Sequence, residues 1–81
     1  MDDRLRVPKL ELGIYEHYKG NRYKVVGVGI DTETEQPVVI YQPIYSSDVS
    51  FWVRPYDMFV GTVDVGGNMI PRFKKIVDYE R

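Results

Sequence analysis

The chain has 81 residues, no cysteine and a formal net charge of −1, with 11 basic and 12 acidic side chains. This length is that of one small domain. The absence of cysteine excludes disulfides and thiolate metal sites, and the near-neutral charge argues against a domain whose main task is to wrap a polyanion. Seven tyrosines, three phenylalanines and one tryptophan are expected to supply the dense core that so short a chain needs.

The charge pattern predicts one domain with short flanking segments. Residues 1–12 are a polar lead-in, residues 13–76 form a single domain, and residues 77–81 are a tail. The lead-in carries charges every few residues and has no apolar run, so we expect neither a signal peptide nor a membrane span. A cytoplasmic location is the default that follows.

The first half of the domain predicts a β-hairpin. Residues 14–18 and 23–30 are rich in Tyr, Val and Ile, and they flank a Lys-Gly-Asn-Arg turn at residues 19–22. Glycines inside a strand commonly mark a bulge or a sharp bend, which is expected at Gly27 and Gly29.

Shorter elements follow. A polar loop leads to a third strand at residues 38–42, and residues 51–54 predict a fourth strand that Pro55 ends. Residues 55–59 predict one helical turn, on which Tyr56 and Phe59 share a face.

The last part of the chain predicts a second, tighter hairpin. Residues 62–65 and 68–70 are short strands around a Gly-Gly turn, and Pro71 marks an edge strand. The residues from Arg72 onward predict a strand end or a short helix. Five or six short strands with one helical turn predict a mainly β domain, a small barrel or roll.

Two ligand motifs are incomplete, and no metal or cofactor is predicted. Asp31, Glu33 and Glu35 alternate as in a calcium loop, but Gln36 and Gln42 stand where that loop needs Gly and Glu. We therefore expect a solvated loop. The Gly-Val-Gly of the second strand lacks the third glycine and the following helix of a dinucleotide site.

His17 is the only histidine, and it limits the catalytic possibilities. One imidazole cannot build the usual histidine metal site or serve as both acid and base. The sequence favours a histidine that is hydrogen-bonded at the surface. The alternative is a small enzyme in which His17 acts with Glu33. No nucleophile elbow or phosphate loop is present, so catalysis is not the favoured interpretation.

The sequence Ser-Phe-Trp-Val-Arg-Pro at residues 50–55 is the strongest candidate for a binding surface. Strand alternation puts Phe51 and Val53 on one face, and Trp52 and Arg54 on the other. We expect Phe51 and Val53 to point inward, because an unpaired arginine is costly in a dry core. An exposed indole beside a guanidinium is common at binding surfaces.

Other arrangements of this strand remain open. Tyr45 and Tyr56 are near in sequence and would extend an aromatic platform. Trp52 would be structural if it anchored the lead-in, whose leucines are Leu5, Leu10 and Leu12. Arg54 would be neutralised if it paired with Asp57.

Two groups of basic residues define a second candidate site. They are Lys19, Arg22 and Lys24 at the first hairpin and Arg72, Lys74 and Lys75 near the end of the domain. If the two groups met in space, they would bind an anion or a nucleic-acid backbone. The acidic balance of the chain favours ordinary solvated charge instead.

The ordered residues of this chain resemble the bacterial family called domain of unknown function 1653. The resemblance runs from Gly13 to Phe73 through Gly-Ile-Tyr-Glu-His-Tyr-Lys-Gly-Asn-Arg-Tyr-Lys-Val, Glu33-Thr34, Val-Val-Ile-Tyr-Gln-Pro-Ile-Tyr at residues 38–45, Trp-Val-Arg-Pro-Tyr-Asp-Met-Phe and Pro-Arg-Phe. It implies a small, cytoplasmic, SH3-like β-barrel without an established activity or ligand. The polar residues of the pattern are the places to look for a site, namely His17, Glu33, Thr34, Arg54 and Arg72.

These observations favour a non-catalytic interaction module. It would present Trp52, Arg54, Tyr45 and Tyr56, with His17, to a peptide or protein partner. The alternative is a nucleic-acid-binding accessory domain that uses Lys19, Arg22, Lys24 and Arg72 on phosphates. We expect a monomer or weak dimer, because Pro71 protects one edge of the fold while another edge stays open.

Overall fold

The structure, a computed structural model, describes residues 6–45 and 48–78. These contain, in chain order, β1 (Gly13–His17), β2 (Arg22–Ile30), β3 (Pro37–Pro43), β4 (Trp52–Pro55), α1 (Tyr56–Phe59), β5 (Thr62–Val65), β6 (Asn68–Pro71) and β7 (Phe73–Asp78). The mainly β class with one short helical turn is confirmed. The described strands number seven, not five or six. The seventh arises because the last segment, predicted as a strand end or a short helix, pairs with β1 along six residues as β7.

The strands form two antiparallel sheets. The larger sheet has the order β4-β3-β2-β1-β7, and β5 pairs with β6 in a separate two-stranded sheet. The predicted first hairpin is confirmed, with Tyr15 opposite Tyr23. A register shift between Val25 and Gly27 is the bulge that the interior glycines predict. Pro71 lies in the two-stranded sheet, where each strand is an edge, as predicted for proline.

Local chemistry explains the second hairpin and the helical turn. Gly66 and Gly67 have φ angles of 59° and 87°, which L-residues with side chains rarely adopt. The Gly67 N–H donates to the Asp64 carboxylate at 2.9 Å, which closes the turn. Pro55 precedes α1 with a φ of −51°, as suits a residue at a helix start.

The core between the elements is largely aromatic. Its buried members are Tyr15, Val25, Val39, Tyr41, Phe59 and Phe73. Phe59 from α1 stacks on Phe73 from β7, with ring centroids 4.0 Å apart and planes 9° apart. The Tyr41 ring lies 5.4 Å from Phe59 and 5.5 Å from Phe73. Offset and edge-on ring packing of this kind lets a small domain bury much apolar area.

The lead-in packs on the domain through Leu10 and Glu11. Leu10 is partly buried against the core cluster, whereas Leu12 is 46% exposed. The Tyr15 hydroxyl donates to the Glu11 carbonyl at 2.7 Å, and the Glu11 carboxylate lies 2.7 Å from Lys75 Nζ. Leu5 and tail residues 79–81 lie outside the described residues. No helix in the described ranges is long and apolar enough to cross a membrane.

Candidate functional site

The orientation of β4 is the reverse of the expected one. Trp52 pairs with Tyr41 and Arg54 pairs with Val39, so their side chains share a face with two buried core residues. Phe51 and Val53 are 54% and 63% exposed. The expectation that Phe51 and Val53 fill the interior is therefore wrong.

Arg54 tolerates this position because the face it enters is open to solvent rather than dry. Its Nε donates to the Tyr41 hydroxyl at 3.1 Å, and its Cζ lies 5.5 Å from the centroid of the Phe73 ring. A guanidinium over an aromatic face is attracted by the ring quadrupole. Asp57 forms no ion pair with Arg54 within the described chain.

The open face forms a pocket of about 380 Å³. We call it the aromatic–cationic pocket; it is lined by His17, Tyr18, Lys19, Asn21, Tyr23, Tyr41, Trp52, Arg54 and Arg72. Trp52, although it faces the pocket, is 42% exposed. The pocket thus gathers residues from the first hairpin, from β3 and β4, and from the β6–β7 connection.

Arg72 is held in place at three points. Its N–H donates to the Gly61 carbonyl and its carbonyl accepts from the Tyr18 N–H, both at 2.9 Å. Its Nε donates to the Met58 carbonyl at 3.1 Å. These bonds tie the β6–β7 connection to the first hairpin and to the end of α1. The guanidinium therefore enters the pocket from a backbone position that the surrounding structure specifies.

His17 lies at the pocket with a defined proton arrangement. Its Nδ1 accepts the Lys19 N–H at 3.1 Å, so the proton of the neutral ring resides on Nε2. The ring packs edge-on to Phe73 at 4.9 Å. Burial, followed by the positive charges of Arg54, Arg72 and Lys19, lowers the pKa of His17 below 6.5. The imidazole is accordingly neutral at physiological pH.

Tyr23 and Tyr45 extend the aromatic surface. Their hydroxyl oxygens lie 3.2 Å apart, and their ring centroids are separated by 5.8 Å. Burial, together with the hydrogen bond to Tyr45, raises the pKa of Tyr23 to about 12. The phenol is therefore a neutral donor and acceptor. Tyr45 lies beside the lining rather than in it, while Tyr56 packs partly buried against the core.

Glu33 and Thr34 lie away from the pocket. The β2–β3 ladder runs from Tyr23 opposite Pro43 to Ile30 opposite Pro37, and the Glu33 loop follows the far end. The length of β2 places roughly 20 Å between the two ends. The His17–Glu33 pair that an enzyme mechanism needs is therefore not brought together.

In the same loop, the first carboxylate of the calcium-like pattern forms hydrogen bonds within a turn. The Asp31 carboxylate accepts the N–H groups of Glu33 and Thr34 at 2.8 and 3.3 Å, so it closes a turn. The chain has no cysteine, and the described residues contain no cluster of three or more His, Asp or Glu side chains suited to a metal.

The two basic groups meet only in part. Lys19 from the first group and Arg72 from the second both line the pocket. Arg22 instead lies 3.5 Å from the Glu16 carboxylate, and Lys24 borders a separate depression beside Leu12. Lys19 and Arg72 are thus the members of the two groups that the structure brings together at one surface.

Sequence reasoning did not assign Tyr18, Asn21, Tyr23 or Tyr41 to a site. Tyr23 and Tyr41 alternate in phase with buried Val25 and Val39, so alternation alone indicates core. Only the pairing of Tyr41 with Trp52 shows that this face ends in an open pocket. The resemblance to a family was the one sequence signal that included both tyrosines.

Comparison with known proteins places the chain in a family. The sequence profile of the family described as protein of unknown function (DUF1653) matches residues 13–75. The chain belongs to the DUF1653 family. The match begins with β1 and includes every residue that lines the aromatic–cationic pocket.

A solved structure of the DUF1653 family has the same fold. The crystal structure of a DUF1653 protein from Bordetella bronchiseptica is similar to this chain with a TM-score of 0.78 and 30% sequence identity. The similarity covers 90% of this chain and 95% of the other. No curated protein matches the sequence. Membership of DUF1653 therefore establishes the fold and transfers no activity.

Proposed function

We propose that this domain is a non-catalytic interaction module that binds a peptide or protein partner in the cytoplasm through the aromatic–cationic pocket. The observation that carries the proposal is the convergence of Trp52, Arg54 and Arg72 on one open concavity. Tryptophan and arginine, with tyrosine, are enriched at the energetic centres of protein interfaces.

The position of the family pattern supports the proposal. All of the lining residues lie within the stretches by which the sequence resembles its family. Several of them, such as Trp52, remain too exposed to be explained by core packing alone.

Trp52→Ala is expected to abolish capture of the partner while the domain stays folded. The domain would be immobilised and exposed to bacterial lysate, with and without nuclease, and a captured protein would be purified and titrated directly. Phe51→Ala is the matched control, because Phe51 is the neighbouring aromatic residue, is 54% exposed and lies outside the lining. Circular dichroism and thermal melting would verify that both variants are folded.

The result also separates the rival functions. Capture that Trp52→Ala leaves intact, or that Phe51→Ala weakens equally, would contradict the proposal. Capture that disappears on nuclease treatment would favour the nucleic-acid alternative, which the meeting of Lys19 and Arg72 in an aromatic pocket supports. Nucleic-acid binding would in addition weaken steeply with salt.

A further inference from the structure

The charges that line the aromatic–cationic pocket are all of one sign. Lys19, Arg54 and Arg72 line it, and no Asp or Glu does. By contrast, two basic residues outside the pocket are paired with acids, Arg22 with Glu16 and Lys75 with Glu11. In a molecule of net charge −1, this is a local concentration of positive charge at a concave surface. Such surfaces attract and hold anions.

Both arginines keep their terminal nitrogens available. The hydrogen bonds of Arg54 and Arg72 to the described residues use only Nε, to the Tyr41 hydroxyl and to the Met58 carbonyl. These bonds orient each guanidinium and leave its two terminal NH₂ groups without a hydrogen-bond acceptor among the described residues. A planar pair of N–H donors matches the oxygens of a carboxylate or phosphate.

His17 adds a donor to the same site. Its Nδ1 is occupied by the Lys19 N–H, so Nε2 carries the proton of the neutral ring. The Trp52 indole supplies a further N–H and a partly exposed ring in the same lining. The lining thus offers several donors and no carboxylate acceptor.

We infer that the aromatic–cationic pocket recognises an oxyanion group, a carboxylate or phosphate, and that its partner is an acidic peptide segment. The inference rests on the proposed function, since it names the chemistry by which the same site binds its partner.

A peptide fits the charge distribution better than a nucleic acid does. A polyanion needs a continuous basic track along its backbone. Here Arg22 is matched with Glu16, and Lys24 borders a different depression. The positive charge outside the pocket is therefore interrupted within the described chain. An acidic peptide segment, by contrast, needs to place a carboxylate only in the pocket.

The test is a titration of the ¹⁵N-labelled full chain at constant ionic strength. The probes are inorganic phosphate, an oligoglutamate with a free or an amidated C-terminus, and an oligothymidylate of equal charge, with sodium chloride as the reference. The single tryptophan and single histidine give unambiguous reporters, read as the Trp52 indole and His17 imidazole signals. We expect saturable shifts confined to the lining, with oligoglutamate tighter than oligothymidylate.

Matched arginine variants make the result specific. Arg72→Gln should weaken oligoglutamate binding about tenfold, the loss of one charge-assisted pair. Arg22→Gln should leave it unchanged, because Arg22 is an exposed arginine outside the pocket. Equal affinities for the free and the amidated peptide would show that the pocket recognises side-chain carboxylates. A higher affinity for the peptide with a free C-terminus would show that it recognises the C-terminal carboxylate.

Several outcomes would overturn the inference. The first is chemical-shift changes no larger than those with chloride, and the second is an equal loss of oligoglutamate affinity in Arg72→Gln and Arg22→Gln. The third is tighter binding of oligothymidylate than of oligoglutamate. If the pocket bound no anion but Trp52-dependent protein capture remained, the proposed function would hold and the partner would be recognised by a different chemistry. Pocket-confined anion binding without any Trp52-dependent protein partner would instead contradict the proposed function and the peptide partner, and would retain only the oxyanion site.

Discussion

His17 lies where three positive charges converge, and this makes its protonation sensitive to what the pocket holds. Burial and the cations Arg54, Arg72 and Lys19 lower the pKa of His17 in the free protein. Its other close neighbours are the rings of Tyr18 and Phe73, which carry no charge. A bound anion would offset the cations, raise the pKa of His17 and add an imidazolium donor. Binding would then be coupled to proton uptake.

Affinity for an acidic peptide is therefore expected to rise as the pH falls from about 7.5 to 5.5, a range that brackets the ordinary histidine pKa. The measurement is an isothermal titration with oligoglutamate, whose carboxylates, with an ordinary pKa of about 4.3, stay mostly ionised over this range. His17→Gln keeps a polar side chain but does not titrate, so its affinity should vary little. An equally steep pH profile in His17→Gln would show that another group is responsible.

Arg54 illustrates how a charged side chain is accommodated without an acidic partner among the described residues. The Tyr41 hydroxyl accepts from its Nε, and the Phe73 ring lies beneath its guanidinium. The Arg54 guanidinium remains accessible to solvent through the opening of the pocket. Lysine could not reproduce this arrangement, because an ammonium lacks the flat, directional donor set of a guanidinium.

At the scale of elements, the link between α1 and β5 determines the position of Arg72. A Cβ built on Gly61 would lie 2.8 Å from the Asp57 carbonyl oxygen of α1, which is closer than real Cβ atoms approach. The Gly61 carbonyl accepts the Arg72 N–H at 2.9 Å. The close approach of α1 and the placement of the Arg72 guanidinium therefore depend on the same glycine.

Gly61→Ala is expected to destabilise the domain by about 1–3 kcal/mol, as forced backbone shifts in packed regions do. It should also weaken anion binding, because the displaced Gly61 carbonyl moves Arg72. Gly27→Ala is the control, since a Cβ there would meet no atom within 4 Å; its effect should stay within about 0.5 kcal/mol. Urea denaturation gives the stabilities, and equal stability losses in the two variants would contradict this assignment.

At the scale of the whole molecule, one aromatic stack joins the helical turn to the last strand. Phe59 is 1% exposed and stacks on Phe73, which in turn contacts His17 and lies beneath Arg54. The wall of the pocket is thus also the surface of the core. A substitution in the core should therefore alter the geometry of the aromatic–cationic pocket.

Phe59→Leu is expected to lower the free energy of unfolding by about 1–3 kcal/mol, because it removes a stacked ring from a buried position that leucine fills poorly. The same substitution at exposed Phe51 should change stability by less than about 0.5 kcal/mol. Chemical denaturation followed by Trp52 fluorescence measures both. Comparable losses of unfolding free energy in the two variants would mean that the Phe59–Phe73 stack is not the main connection between α1 and β7.

The local elements were predictable from sequence because their causes are local. The Lys-Gly-Asn-Arg turn specified the first hairpin, two adjacent glycines specified the second, and Pro55 specified the start of α1. The bulge next to Gly27 followed from interior glycines in a strand. Each depends on backbone preferences within a few residues, which no distant contact overrides here.

Composition and strand alternation were enough to predict a small, mainly β, cysteine-free domain and to place Trp52 and Arg54 on the same strand face. That this face is the concave one follows from the way the strands pack in the folded domain, because alternation groups residues by face without saying which face is buried. The same packing also decides that Lys19 and Arg72 meet whereas His17 and Glu33 do not. Strand pairing brings residues from opposite ends of the chain together, and that pairing depends on the whole fold.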